Sequence, residues 1–147
     1  MIRKAEISDL IAITQLAILL WPDNEFDDLK KEIEKTLLDK DAVVFLCFDK
    51  DILVGFAMCQ LRHDYVEGTK SSPVGYLEGV FVLENYRNKG IATKLLQHCE
   101  QWSKENGCIE FASDCEIANA DSYAFHIKYG FQEVNRIICF KKAINTA

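Results

Sequence analysis

Arg87, Lys89 and Gly90 fall inside one four-residue turn, between the apolar stretch Val80-Phe81-Val82-Leu83 and a helical pattern that begins near Ile91. A helix N-terminus presents unbonded backbone N–H groups and a partial positive charge, so a turn of this kind suits a phosphate. Gly90 lets the main chain approach a bulky diphosphate with no β-carbon in the way. The turn matches neither Gly-x-Gly-x-x-Gly nor a Walker loop, which weighs against dinucleotide and nucleoside triphosphate binding. The bland alternative is an ordinary strand-to-helix connection with a solvated basic turn.

The elements that must hold this turn follow from periodicity. Residues 1–7 read as a short strand, and Ser8 or Asp9 can cap a helix carrying Leu10, Ile13, Leu16, Ala17 and Leu20 on one stripe. Pro22-Asp23-Asn24 breaks that helix, and a more polar one spans about 26–38. Residues 42–48 and 52–61 are β-rich runs joined by Asp49-Lys50-Asp51, a predicted hairpin. Residues 64–74 are loop-like, and 75–83 form another strand. The helix after the basic turn covers 91–104, with apolar positions 91, 92, 95, 96, 99 and 102, and stops near Asn106-Gly107. A short strand at 108–113, a helix at 119–129 stopped by Gly130 and a closing strand at 136–141 complete the order, with a further short strand conceivable at 131–134. Hairpins mixed with β-α-β crossovers predict an α/β protein, a single mixed sheet with helices on both faces.

Composition narrows the classes. The 147 residues suit one domain, 1–147, and 49% apolar content supplies a core. Net charge is −6, unfavourable for gripping a phosphate backbone and compatible with a cationic partner. The N-terminus lacks a signal-peptide layout, and Leu16-Ala17-Ile18-Leu19-Leu20-Trp21 is far too short to span a bilayer, so neither membrane nor nucleic acid is expected as a partner. The cysteines at 47, 59, 99, 108, 115 and 139 form no Cys-x-x-Cys pair, and all but Cys115 lie in apolar surroundings. That pattern predicts reduced, buried thiols of a cytoplasmic protein, with neither a metal site nor a disulfide framework.

Arg87-Asn88-Lys89-Gly90-Ile91-Ala92 resembles the Arg/Gln-x-x-Gly-x-Gly/Ala signature of the GNAT N-acetyltransferases. Asn119, Ser122, His126 and Gly130-Phe131 sit where those enzymes carry an Asn followed by a helix ending in Tyr-x-x-x-Gly-Phe. The segments Arg62-His63-Asp64-Tyr65-Val66-Glu67-Gly68, Ser71-Ser72-Pro73-Val74 and Leu77-Glu78-Gly79-Val80-Phe81-Val82 look like one branch, the aminoglycoside 6′-N-acetyltransferases, as do Leu20-Trp21-Pro22 and Ala112-Ser113-Asp114. The resemblance implies the GNAT fold, with a mostly antiparallel sheet, and acetyl-CoA as co-substrate without a metal. It also implies direct transfer of the acetyl group to an aminoglycoside 6′-amine, which inactivates the antibiotic.

It further implies a site. Trp21, Tyr65, Glu78 and Asp114 match positions lining the aminoglycoside pocket. Asn135 stands where an acidic residue is expected. The main chain of Val80, Phe81 and Val82 matches the edge that pairs with the pantetheine arm, and Arg87, Asn88, Lys89, Gly90, Ile91, Ala92 and Thr93 match the pyrophosphate turn. Asn119 matches the residue that binds the CoA arm, and His126 replaces the usual general-acid tyrosine. Carboxylates are what a polycation needs, and Glu78 can take a proton from the substrate ammonium, directly or through a water, while Asp114 places the amine. Each role has a plainer competitor: Glu78 as an edge residue or an arginine's partner, Trp21 as core, His126 as a satisfied packing group. A GNAT acting on another polyamine, a protein N-terminus or a lysine would carry the same cofactor motif, and so would a non-catalytic acetyl-CoA sensor. The resemblance also implies a homodimer sharing its C-terminal strands, for which Ile137-Ile138-Cys139-Phe140 offers an apolar stretch, equally suited to core packing.

Overall fold

The computed structural model describes residues 1–145. Strands β1 (Ile2–Lys4), β2 (Ala42–Asp49), β3 (Ile52–Arg62), β4 (Val74–Val82) and β5 (Phe111–Ala112) form one sheet in the order β1-β2-β3-β4-β5. The first three pairings are antiparallel, and β4 and β5 are parallel. Helices α1 (Leu10–Leu20), α2 (Phe26–Leu38), α3 (Ile91–Glu105) and α4 (Ala120–Tyr129) complete the chain. The expected α/β class and mixed, mostly antiparallel sheet are therefore present.

Alternation along β2 and β3 assigns side chains to two faces. On one, Val44, Leu46, Phe56 and Met58 pack with Leu10, Ile13, Leu16 and Ala17 of α1 and Leu29 and Ile33 of α2. Phe56, Ile13 and Ile33 are almost fully buried, and each such side chain stabilises the fold by about 1.5–3 kcal/mol. On the other face α3 buries Leu95, Leu96, Cys99 and Trp102, the stripe its periodicity predicts. Asp9 ties the first strand to the first helix. Its carboxylate accepts from both Arg3 guanidinium nitrogens at 2.8 and 2.9 Å and from the Glu6 N–H at 2.8 Å, instead of capping α1 with its side chain.

The chain divides into two compact units, Met1–Asp114 and the segment from Cys115 onward. Within the second, α4 is followed by residues 131–145, which form neither helix nor strand. The closing strand expected at 136–141 and the short strand at 131–134 are thus absent, and the strand expected over 108–113 contracts to Phe111–Ala112. Strand propensity is realised only where a partner edge receives the backbone N–H and C=O groups, and among the described residues 131–145 pair with no strand. Four cysteines are buried as expected, but Cys139 joins Cys115 in being exposed. No helix among the described residues is long and apolar enough to cross a membrane.

Candidate active site

Strand β4 carries the candidate site. It pairs with β3 through Gly55↔Val82, Phe56↔Phe81 and Ala57↔Val80, but meets β5 only at Gly75 and Tyr76. The far edge of Val80, Phe81 and Val82 therefore has no strand partner among the described residues. After Val82 the chain makes a single 3₁₀ turn, Glu84–Tyr86, and enters α3 through Gly90 at φ +80°. A β-carbon on Gly90 would project into open space, meeting no atom within 4 Å. The first helical hydrogen bond of α3 runs from the Lys94 N–H to the Gly90 carbonyl at 3.1 Å, so the N–H groups of Ile91, Ala92 and Thr93 lie outside the helical ladder. An open glycine cradle beside free donors fits a diphosphate.

The two cations of this turn have different duties. Arg87 donates Nε–H to the Val82 carbonyl at 2.8 Å and lies 5.3 Å from the Phe81 ring centroid, bracing the end of β4. Lys89 is exposed, with Nζ 5.5 Å from the Tyr86 ring, whose hydroxyl donates to Asp49 at 2.8 Å.

The acidic half of the site begins at an irregularity. Met58 and Cys59 are consecutive, yet their partners Gly79 and Leu77 are two apart, so Glu78 is the extra residue of a β-bulge. A bulge re-aims a side chain and is common beside active sites. Glu78 accepts from Arg62 through both oxygens, with contacts of 2.9 and 3.0 Å from Nη2 and 3.2 Å from Nε. The Arg62 Cζ sits 3.5 Å from the Tyr76 ring centroid, and the Tyr76 hydroxyl donates to Asp114. Burial, and then that hydrogen bond, push the Tyr76 hydroxyl well above the usual phenol range, so it remains a donor. Glu78 and Asp114, 36 residues apart in sequence, thus belong to one chain of contacts through Arg62 and Tyr76.

Trp21 follows the last residue of α1, and its ring packs against β4: a β-carbon on Gly79 would fall 2.6 Å from the indole. Trp21 and Glu78 line a cavity of about 340 Å³ together with Asn24, Glu32, Thr36, Met58 and Gln60. Tyr65 is not among the lining residues. It is 76% exposed on the β3–β4 loop, its hydroxyl accepting from the Gly68 N–H at 3.2 Å. In the second unit, Asn119 caps α4 by accepting from the Ser122 N–H at 3.0 Å, and the Nδ1 of His126 stands 2.7 Å from the Ser122 carbonyl. Asn135 is exposed. Nothing in the local pattern singles out Arg62, Tyr76, Gly79 or Glu32. The one available signal is a lone acid two positions beyond Tyr76, on a strand that must pair with the strand ending in Arg62.

A model of the acetyltransferase (GNAT) family matches residues 10–131. The chain is 41% identical over 141 residues to aminoglycoside N(6′)-acetyltransferase type 1 of Stenotrophomonas maltophilia, covering 95% of this chain and 91% of the relative. It is 40% identical over 144 residues to the protein of the same name from Acinetobacter baumannii, covering 97% and 96%. Its fold is similar to that of AAC(6′)-Iy in complex with the bisubstrate analog CoA-S-monomethyl-acetylneamine, with a TM-score of 0.93, 35% identity and 98% of both chains covered. The unpaired edge of β4 and the glycine cradle at the start of α3 agree with these likenesses, and the chain belongs to the GNAT acetyltransferase family.

Proposed function

We propose that this protein transfers the acetyl group of acetyl-CoA to the 6′-amino group of aminoglycosides by direct attack, inactivating them as antibiotics, and that residues 1–147 act as one such transferase domain in the cytoplasm. The observation that carries this reading is the bulge of β4, which presents Glu78 to a cavity walled by Trp21 on the strand whose other end leads into the phosphate-type turn. The main chain of Val80, Phe81 and Val82 and the turn of Arg87, Asn88, Lys89, Gly90, Ile91, Ala92 and Thr93 are the residues that would hold acetyl-CoA. When bound, it supplies an activated thioester.

The remaining chemistry belongs to the chain. An alkyl amine is mostly protonated near neutrality, its pKa being about 10.4 in lysine, and an ammonium cannot attack. Glu78 takes that proton, directly or through a water, and Asp114 places the amine. A backbone N–H near Val80 steadies the charge that builds on the carbonyl oxygen. Holding both partners in line contributes more than any single acid or base. Trp21 and Tyr65 offer ring faces to sugar and ammonium groups. The roles of Asn119 toward the CoA arm, of His126 toward the departing thiolate and of Asn135 toward the acceptor rest on the family resemblance.

A homodimer is part of the proposal. Ile137, Ile138 and Phe140 are 70%, 81% and 89% exposed in a segment with strand-like composition, and a second copy of the chain is the partner that would cover them.

Release of CoA thiol from acetyl-CoA in the presence of kanamycin tests the assignment, with an aminoglycoside bearing a 6′-hydroxyl as the regiochemical control. Thiol release with kanamycin and none with the control is expected. Release with spermidine or a peptide but with no 6′-amino aminoglycoside would move the protein to another GNAT substrate class.

A further inference from the structure

A carboxylate that meets an alkylammonium alone stabilises the charged form and locks away the lone pair the reaction needs. Glu78 does not stand alone. Both its oxygens already accept from Arg62 at 2.9–3.2 Å, and the guanidinium stays charged at every accessible pH. The ring of Tyr76 holds that guanidinium from one side at 3.5 Å, and Asp114 engages the Tyr76 hydroxyl. The arrangement fixes a positive charge within a few ångströms of any cation that approaches Glu78 and occupies the oxygens with which that cation would form its tightest pair.

We infer that Arg62 is a positioning residue acting through Glu78, and that it keeps this acid from trapping the acceptor amine as an ammonium. The inference rests on the acceptor-site reading of Glu78 given above. The proton passes from the substrate nitrogen to Glu78, directly or through a water, and on to solvent, leaving the lone pair free, while Arg62 gains and loses nothing. Binding of the rest of the polycation falls to an acid with no arginine on it, Glu32, which lines the same cavity from α2. The other ionisable groups bearing on the pair are Tyr76 and Asp114 beside Arg62 and the buried thiol of Cys59 on β3. All of them are common to the native protein and the variants below.

The test is kcat for kanamycin against pH, which reports groups that ionise in the bound complex, in the native, Arg62→Met, Arg62→Lys and Glu78→Gln proteins. Two unit charges about 6 Å apart at a partly exposed site alter the amine's ionisation about tenfold. Arg62→Met is therefore expected to move the acid limb upward by about one pH unit, lowering kcat roughly tenfold near pH 6.5 and restoring it at high pH. KM for kanamycin holds or falls, KM for acetyl-CoA holds, and Arg62→Lys keeps the native limb. The Arg62 side chain is 41% exposed, so its truncation opens no buried void; Arg62→Gln, neutral but polar, gives the same shift should Arg62→Met not fold. If kcat drops by one factor at every pH, Arg62 is merely structural and the inference fails, while slow turnover by Glu78→Gln leaves the acceptor-site reading standing. Native kcat/KM in Glu78→Gln removes both.

Discussion

The acidic cluster on β3, β4 and the residues just after β5 is made of side chains that hold one another: Arg62 on Glu78, Tyr76 under Arg62, Asp114 on the Tyr76 hydroxyl. The turn before α3 is made of main chain. Its donors are the N–H groups after Gly90, one of its cations braces β4 through the Val82 carbonyl, and the other stands exposed. The difference follows from what each would recognise. A phosphate is an anion that any array of aligned N–H groups satisfies, whatever the side chains. A polycation needs negative charge, which the backbone cannot supply beyond a carbonyl dipole, so acids must be placed individually and kept from repelling one another. Substitutions in the two regions should accordingly fail in different ways.

The largest effect belongs to the acidic side. Glu78→Gln is expected to lower kcat/KM for kanamycin by about a hundredfold and leave KM for acetyl-CoA near native; a rise in the latter would merge the two regions into one. Next comes the backbone-built turn. Gly90 sits at φ +80°, where a β-branched residue costs about 1–2 kcal/mol, so Gly90→Val should raise KM for acetyl-CoA about tenfold with little change in KM for kanamycin. Lys89→Met, by contrast, should cost only a few-fold, because the donors there are main-chain groups.

Gly79→Ala sharpens the acceptor side. The new methyl would fall 2.6 Å from the Trp21 ring, and displacing the ring should raise KM for kanamycin several-fold and lower stability by about 1–3 kcal/mol. Unchanged KM together with reduced stability would show that Trp21 only packs. The smallest expected effect serves as a control remote from both regions. The Arg3 hydrogen bond holds the Asp9 carboxyl below the usual range, so the pair's contribution is complete above the unfolded carboxylate value and is lost as pH falls through the lower folded one. Asp9→Asn should cost about 1 kcal/mol near neutrality and flatten the decline of Tm with acid below about pH 4. Neither KM should move.

Local periodicity reads much of this protein correctly. The stripes of α1, α2 and α3, the hairpin at Asp49-Lys50-Asp51 and the strand-to-helix turn through Gly90 are each settled by residues close together in sequence. The candidate site was legible in its residue types and hardly at all in its connections. Glu78 and Asp114 stand out as isolated acids, and an arginine partner for Glu78 is among the plain alternatives, but nothing local identifies Arg62 as that partner. Residues 136–141 show the opposite failure, since their composition reads as a strand while a strand itself requires a partner, and among the described residues they pair with none.

By itself, then, the sequence determined the helices, the main strands, the glycine turn and the presence of acids isolated in sequence, because these depend on spacing within one or two turns of chain. Tertiary structure decided that Glu78 is the extra residue of a bulge, that Arg62 meets it across β3 and β4, that Tyr76 links both to Asp114, and that Trp21 lies on Gly79. The first two depend on the register between β3 and β4, strands joined by a long loop, and a shift of one residue along β4 would turn Tyr76 and Glu78 to the opposite face.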